Sequence, residues 1–313
     1  MALRAASHAA GDCPLYRPRT VTLTDDIRAA AARVAGAARS VRIRRENIDP
    51  YARTLGGESP PAPDLEGAGD EERAAFSLQL NAINFGSGWF PTLRKRPGVS
   101  GFRTVEAGLR ARGPWTAEEL KKLTREEIAE TLGQDPGHEL MGHFARHLNE
   151  LGERIGPGGF LAFARAGDAE AIAAALAQWP TWRDVSPYRG DTVPFFKRAQ
   201  IAAADLALAR LTDARSLERL TLFADNLVPH VLRLDGVLEF DAGLVARIDA
   251  QRLIEHDSPE EVEIRATALH AVELLVQAHG ATTATAVDYI LWNRGAGARY
   301  KARPRHRARC TAY

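Results

Sequence analysis

The stretch TAEELKKLTREEIAETLG at residues 116–133 contains two consecutive signals for the start of a helix. Thr116 is followed three residues later by Glu119, and Thr124 by Glu127. In such a capping box, each side chain accepts a hydrogen bond from the backbone N–H group of the other residue. The glycine at the end of the stretch suits a helix end, because it adopts left-handed backbone angles at little cost. The stretch therefore predicts two helices that directly follow one another.

Helical signals of the same kind recur along most of the chain. Ser258 and Glu261 form a third candidate capping box, ahead of a helix that we expect to continue to about His279. Apolar residues at helical spacing predict other helices. Their approximate ranges are 24–38, 70–83, 136–156, 168–179 and 194–211, with a last helix from residue 283. We expect the helix at 194–211 to be the longest.

Strand signals are few. Short extended pieces are expected within residues 89–105, and a small hairpin or loop within residues 182–193. Neither an internal repeat nor an alternation of strands and helices is visible. The sequence therefore predicts an all-α, mainly helical fold. We expect one helical domain over residues 21–313, preceded by an N-terminal segment at residues 1–20.

The composition is that of an ordinary globular protein. Hydrophobic residues make up 45% and charged residues 26% of the 313 residues, which argues against wholesale disorder. The net charge of +1 gives no overall electrostatic field to attract nucleic acid. No apolar run approaches the roughly 20 residues of a membrane span, and no secretory signal is readable. Two cysteines, Cys13 and Cys310, fit a reducing compartment, although a single bridge between them remains open. We therefore expect a cytoplasmic protein without membrane association.

One carboxylate lies in a stretch whose other residues are typical of a protein core. Asp225 lies in the stretch LFADNLVP at residues 222–229. Ionising a carboxylate among apolar residues is unfavourable unless donors, cations or a cationic ligand compensate it. Such a group contributes little to packing, but it can stabilise positive charge that develops beside it during a reaction. We therefore single out Asp225 as a candidate catalytic residue.

The stretch FFKRAQ at residues 195–200 places two cations on a helix that is otherwise apolar. Lys197 and Arg198 are either a solvated pair or cations that face a phosphate or Asp225. Asp205, eight residues after Lys197, returns to a similar helix face and is placed to orient it.

Two other places suit the recognition of a planar ligand. Asn84 and Phe85 open the stretch NFGSGWF, whose glycines let the backbone approach a ligand closely, although the aromatic residues suit a core equally well. Asp288 and Asn293 bracket the stretch YILW. A carboxylate accepts N–H groups and an amide both donates and accepts, which suits the edge of a purine-like base. A position on the helix surface is the alternative for both.

The stretch HELMGH at residues 138–143 resembles a zinc-protease signature, but it has one residue too many between its histidines. Glu139, His143 and His147 do share a helix face, so a metal site is possible in principle. We favour the alternative, a solvated face opposite the apolar residues. We therefore predict no metal.

A basic run at residues 299–309 is a candidate RNA-binding arm. It ends in the sequence CTAY, and an aromatic end is more natural on a segment that docks onto the protein. No platform of aromatic and basic residues accompanies it. We therefore disfavour nucleic acid as a partner.

Taken in order, several segments resemble one family, the queuosine salvage proteins, which are queuosine 5′-phosphate N-glycosylases. The resemblance runs from about Asn47 to the end of the sequence, and the ordered combination is far more specific than any single piece. The matching segments are LNAINF at 80–85, PTWRDV at 180–185, FKRAQI at 196–201, FAD at 223–225, EVEIR at 261–265, AVELL at 271–275 and DYILW at 288–292.

The resemblance implies hydrolysis of queuosine 5′-monophosphate to queuine and ribose 5-phosphate, without a metal or other cofactor. It also implies an all-helical fold similar to that of helical DNA base-excision glycosylases. The catalytic aspartate of the family falls on Asp225, and its base-contacting positions fall on Phe223, Asp288 and Asn293. Relatives often carry Asp where this chain has Asn293, and His where it has Glu46.

This chemistry suits the residues. Cleaving a ribosyl C–N bond builds positive charge on C1′ and the ring oxygen. Asp225 would either stabilise that charge or attack C1′, and both alternatives stay open. Lys197 would keep Asp225 ionised by opposing its desolvation. The expected substrate-binding residues are Phe223, Asp288, Asn293, Phe85, Asn84 and Glu46.

Two rival hypotheses come from other classes. One is a helical nucleic-acid-binding or base-lesion glycosylase module, based on the basic run and the implied fold. The other is a metalloenzyme that uses Glu139, His143 and His147.

Overall fold

The computed structural model of the protein describes residues 22–58, 60–61, 65 and 67–313, and within them the fold is mainly helical, as predicted. The α-helices are α1 (Leu23–Ala37), α2 (Ile48–Ala52), α3 (Asp70–Ala82), α4 (Gly101–Arg112), α5 (Ala117–Leu120), α6 (Arg125–Leu132), α7 (Glu139–Arg154), α8 (Gly159–Ala164), α9 (Ala169–Leu176), α10 (Lys197–Leu208), α11 (Val228–Leu234), α12 (Ala242–Asp249), α13 (Pro259–His279), α14 (Ala284–Arg294) and α15 (Ala298–Lys301). The strands are β1 (Val41–Ile43), β2 (Val185–Tyr188), β3 (Asp191–Pro194) and β4 (Leu238–Phe240). The predicted N-terminal segment at residues 1–20, with Cys13, lies outside the described residues, and the predicted domain limits stay a prediction.

The two capping boxes that open α5 and α6 are both formed, and the glycine after α6 adopts left-handed angles (φ 63°). The third box is only half formed. Ser258 accepts a hydrogen bond from the N–H of Glu261, but the Glu261 carboxylate accepts from Asp257 instead of Ser258. The start of α1 also differs from the prediction, because Thr22 is its cap and Thr24 lies inside the helix.

Three expectations about element length and type were wrong. The longest helix among the described residues is α13, with 21 residues, whereas α10 has 12. Residues 89–105 contain no strand, because their glycines and prolines flank a 3-10 turn and then α4, which Ser100 caps. A further short helix, α15, follows α14.

The strands form two small antiparallel pairs. Strands β2 and β3 make the hairpin expected near residues 182–193. The pairing of β1 with β4 was not predicted, because it joins segments almost 200 residues apart in the sequence. Side chains of Arg42 and Arg44 bind Glu239 across this pair.

Helix α13 runs through the centre of the fold. Nine consecutive residues, 261–269, are buried, so every face of this part of the helix is covered. Helix α1, α2 and α14 pack against α13, while α10 packs against α3 and α9. Within the described ranges, no helix is both long and apolar enough to cross a bilayer. The arrangement brings the start of α10, the segment before α11 and the end of α14 to one side of the core.

Candidate active site

The predicted catalytic residues meet at a cavity of about 800 Å³. Its walls come from residues 87–103, the start of α10, residues 225–227 and the segment that follows Trp292. Aromatic side chains of Phe90, Phe102 and Trp292 form part of the lining. This volume is within the range typical of small-molecule sites.

Asp225 is the carboxylate that faces this cavity. It is partly buried and lies just before α11, where its Oδ1 atom accepts hydrogen bonds from the N–H groups of Leu227 (2.7 Å) and Val228 (3.2 Å). These are donors that the first turn of a helix leaves unpaired. The other oxygen, Oδ2, has no hydrogen-bond partner among the described residues. The side chain is therefore held by one oxygen, and the second is available to a ligand.

Lys197 is the first residue of α10 and lines the same cavity. Its side chain is 95% buried, and its Nζ atom donates to the Oδ1 (3.1 Å) and main-chain O (2.9 Å) atoms of Asn84. Burial lowers the pKa of Lys197 to about 8, and the nearby carboxylate of Asp225 limits this decrease. The two residues make no direct ion pair in the described structure, so the cation acts on Asp225 through space.

A buried ion pair that the sequence analysis did not identify connects these two residues. The Nη1 and Nη2 atoms of Arg265 bind the carboxylate of Asp184 at 2.9 and 2.8 Å, and its Nε atom donates to the carbonyl oxygen of Ala224 at 3.0 Å. The same carboxylate accepts the backbone N–H of Lys197 at 3.0 Å. One ion pair thus fixes the backbone beside Asp225 and the start of α10.

Of the predicted base-contacting residues, Asp288 and Phe223 lie together. Asp288 is partly buried on α14, and the backbone N–H of Phe223 lies close enough to lower the pKa of its carboxyl group slightly. Burial raises the pKa of Asp288 well above its usual range, and the carboxylate of Asp225 adds to this effect. Asn293, one turn further along α14, lines the cavity. The structure therefore brings these residues and Asp225 to one region.

Of the six predicted substrate contacts, only Asn293 is among the described residues that line the cavity; the others are Phe223, Asp288, Asn84, Phe85 and Glu46. Phe85 is 99% buried and packs edge-on against Phe144, with ring centroids 5.1 Å apart, so its ring belongs to the core and not to the cavity lining. Glu46 is exposed and pairs with Arg44 at 3.3 Å on the surface near β1. Phe85 and Glu46 therefore lie outside the lining of the cavity that Asp225 faces, and their contact with a substrate stays a prediction.

The basic run packs onto the protein and contributes to the cavity. The carbonyl oxygen of His306 accepts from Asn226 at 3.0 Å, and that of Tyr313 accepts from the N–H of Gly86 at 3.1 Å. The side chain of Tyr313 is 98% buried. The cations that line the cavity are Arg103, Lys197, Lys301, Arg303, Arg305 and Arg307. Asp225 is the only acidic side chain among the described lining residues, so the side chains make the cavity positive.

Arg305 and Arg198 differ in what they can bind. Arg305 makes no ion pair or hydrogen bond within the described part of the chain, and its positive charge is close enough to interact with Asp225. Arg198 is 99% buried and donates to the carbonyl oxygens of Ala82 and Thr181. Arg198 is therefore a structural cation, and Arg305 is free to meet an anionic ligand.

The alternative metal site is not assembled. Glu139 and His143 approach each other at 3.7 Å, but His147 is completely buried, with its ring 4.5 Å from that of Phe85. The expectation that this helix face is solvated was therefore wrong for His147. In the parts of the chain that the structure describes, the one group of three potential ligands is His256, Asp257 and Glu261, which lies outside the cavity lining.

Fold and cavity together define a helical protein with a cation-lined pocket and a single carboxylate. A family model described as "Queuosine salvage protein" matches residues 68–313. The chain is 35% identical over 267 residues to the queuosine 5′-phosphate N-glycosylase/hydrolase of Sphaerobacter thermophilus, an alignment that covers 78% of this chain and 83% of that protein. It is 29% identical over 218 residues to the Bos taurus protein of the same name, covering 61% of this chain and 64% of the relative. The chain belongs to the queuosine salvage protein family.

Proposed function

We propose that this protein hydrolyses the N-glycosidic bond of queuosine 5′-phosphate and releases queuine for salvage into tRNA. The observation that carries the proposal is the carboxylate of Asp225, anchored by one oxygen and facing a cation-lined cavity of nucleotide size. The names of the relatives support the choice of substrate. We place the reaction in the cytoplasm, in keeping with the low cysteine content.

In the proposed reaction, the bond between C1′ and the base nitrogen breaks, and the electron pair leaves with the base. The free Oδ2 atom of Asp225 stabilises the positive charge on C1′ or bonds to it, and water supplies the hydroxyl group that replaces the base. The departing base takes up a proton. Asp288, whose raised pKa keeps its carboxyl group protonated to higher pH, can donate a hydrogen bond to that base.

The 5′-phosphate of the substrate needs cations. Lys301, Arg303 and Arg305 line the cavity without a carboxylate partner among the described residues, and Arg305 is the best candidate because its charge also interacts with Asp225. A guanidinium group binds phosphate oxygens in a two-pronged geometry. Lys197 interacts with Asp225 through space, and the carboxylate of Asp225 favours the charged form of the lysine.

Incubation of the purified protein with queuosine 5′-phosphate should release free queuine, measured by chromatography. Asp225→Asn should reduce kcat by at least a hundredfold, on the scale of losing one preorganised charged or polar group. Asp249→Asn, an exposed aspartate outside the cavity lining, is the matched control and should keep full activity. An Asp225→Asn variant with normal turnover would remove this residue from the mechanism.

The alternative of a nucleic-acid-binding module makes a different prediction. It requires tight tRNA binding with a steep salt dependence and no turnover of the mononucleotide. The docked position of the basic run supports the enzyme, because several of its cations line the cavity.

A further inference from the structure

Behind Lys197, a chain of side-chain hydrogen bonds leads away from the cavity into the helical core. The Nζ atom of Lys197 donates to Oδ1 of Asn84 (3.1 Å), and Nδ2 of Asn84 donates to Oδ1 of Asn81 (3.1 Å). Nδ2 of Asn81 in turn donates to Oδ2 of Asp205 (2.7 Å). Two helices and one loop contribute, since Asn81 lies on α3, Asn84 lies in the loop that follows it, and Asp205 lies on α10.

The donor and acceptor of each hydrogen bond between Lys197 and Asp205 are set by Asp205, the residue farthest from the cavity. An ionised carboxylate can only accept hydrogen bonds, so Asp205 requires the amide nitrogen of Asn81 to point toward it. The second hydrogen on this nitrogen goes to the carbonyl oxygen of Ser77, at 3.0 Å. The oxygen of Asn81 must then face Asn84, and the oxygen of Asn84 must face Lys197. The last acceptor is therefore oriented toward the ammonium group.

Asp205 also supplies a negative charge near a buried cation. Burial raises the pKa of its carboxyl group to about 7, and the charge of Lys197 opposes this increase, so the two groups interact. The other charged group that acts on Asp205 is Glu106 on α4, which raises the pKa and is itself bound to Arg103 at 2.6 Å. The charged groups that act on the pKa of Lys197 itself are Asp225, Asp288 and Asp184, which raise it, and Arg198, which lowers it. Above a pH of about 7, where the carboxyl group of Asp205 is ionised, its negative charge adds to those that favour the charged form of Lys197.

We propose that Asp205 is a positioning residue for the active site, which orients Asn81 and Asn84 and thereby holds the Lys197 ammonium group charged and in place beside Asp225. The proposal rests on the proposed function for its catalytic meaning. It goes beyond that function, because it assigns a role to a carboxylate outside the cavity lining.

The first test is Asp205→Asn, which keeps an oxygen that can accept from Asn81 but removes the charge. We expect the decrease of kcat/KM on the alkaline side to move to lower pH by roughly half a unit or more, as one charge lost in a poorly polarisable interior implies. Asp205→Glu, which restores the charge, should recover part of this shift. Glu118→Gln, an exposed carboxylate on α5 paired with Lys121, is the control and should leave the profile unchanged.

A second readout does not depend on activity. The pH dependence of Lys197 acetylation by acetic anhydride, followed by mass spectrometry, reports the protonation of its ammonium group directly. Asp205→Asn should shift this titration to lower pH, and Asn81→Leu, which interrupts the chain without touching Lys197, should do the same. Unchanged Lys197 titration in a folded Asp205→Asn variant would overturn the proposal. If Asp205→Asn does not fold, an unchanged titration in Asn81→Leu has the same meaning.

The two proposals fail in distinguishable ways. Absence of queuine release by the unaltered protein would contradict the proposed function, while the acetylation titration would still decide the role of Asp205. Normal release combined with identical pH profiles in all variants would contradict only the positioning role.

Discussion

Replacing Arg265 by methionine should destabilise the protein by about 3–5 kcal/mol, because it removes one partner of a buried ion pair. Arg265 is completely buried and Asp184 is 3% exposed. The substitution deletes two hydrogen bonds to Asp184 and one to the carbonyl oxygen of Ala224. It leaves the Asp184 carboxylate with the backbone N–H of Lys197 as its remaining strong donor.

The magnitude follows from the unpaired charge that remains, more than from the attraction that is lost. A second substitution, Asp184→Asn, removes the charge of Asp184 but not that of Glu261, a buried carboxylate 3.8 Å from Arg265, so the double variant should be more stable than the sum of the two single effects predicts. We expect a coupling free energy of about 1–3 kcal/mol, the upper part of the range for groups in direct contact. For a chain of this length, the single variant should lose roughly 5–8 °C in Tm.

Urea unfolding followed by circular dichroism measures these free energies, and differential scanning calorimetry measures Tm. Arg215→Met is a suitable control, since Arg215 is exposed and its partner Asp213 is within two residues. A loss below 1 kcal/mol for Arg265→Met, or strictly additive effects of the two substitutions, would refute the reasoning. Activity should fall even where the variant remains folded, because Ala224 directly precedes Asp225 in the chain.

Gly88→Ala should reduce activity while most of the fold is kept, because the new Cβ atom would lie 2.4 Å from the carbonyl oxygen of Ala308 and displace the docked basic run. Hydrogen exchange over residues 304–313 measures this displacement, and unchanged protection would contradict the prediction. The value of kcat/KM should decrease as pH rises through about 8, because Lys197 loses its proton there, and a flat profile up to pH 9 would exclude this role. Arg305→Met should raise KM for queuosine 5′-phosphate at least tenfold. Hydrolysis of queuosine, which lacks the phosphate, should be nearly unchanged. An equal effect on both substrates would place Arg305 away from the phosphate.

Much of the helical architecture could be predicted because its signals are local. The capping boxes before α5 and α6 depend on residues three apart, and they form as the sequence indicates. The pairing of β1 with β4 could not be predicted, because three-residue strands carry little pattern and their partners are distant in the chain. The prediction of strands near residue 100 was wrong for a related reason. Glycine and proline mark where a helix or strand ends, but they do not specify which structure lies between two such ends.

The candidate site divides in the same way. Asp225 could be singled out from the sequence because an ionised carboxylate among apolar residues needs a compensating partner. In the structure it lines the cavity together with Lys197. Phe85 could not be assigned from sequence, because an aromatic residue suits a core and a binding pocket equally. The link between Asp184 and Arg265 was missed, since it joins residues 81 positions apart. Arg265 did carry a signal, as an arginine within a long apolar helix requires a buried partner.

The buried ion pair also has a consequence for how activity is acquired. Asp184, Ala224 and Arg265 come from three separate parts of the chain, so the carboxylate of Asp225 reaches its working position only when all three have assembled. Helices can form early from local interactions, whereas contacts between distant segments form late. After dilution from denaturant, the recovery of enzymatic turnover should therefore lag behind the recovery of helical signal, which would make catalysis a reporter of the final step of folding.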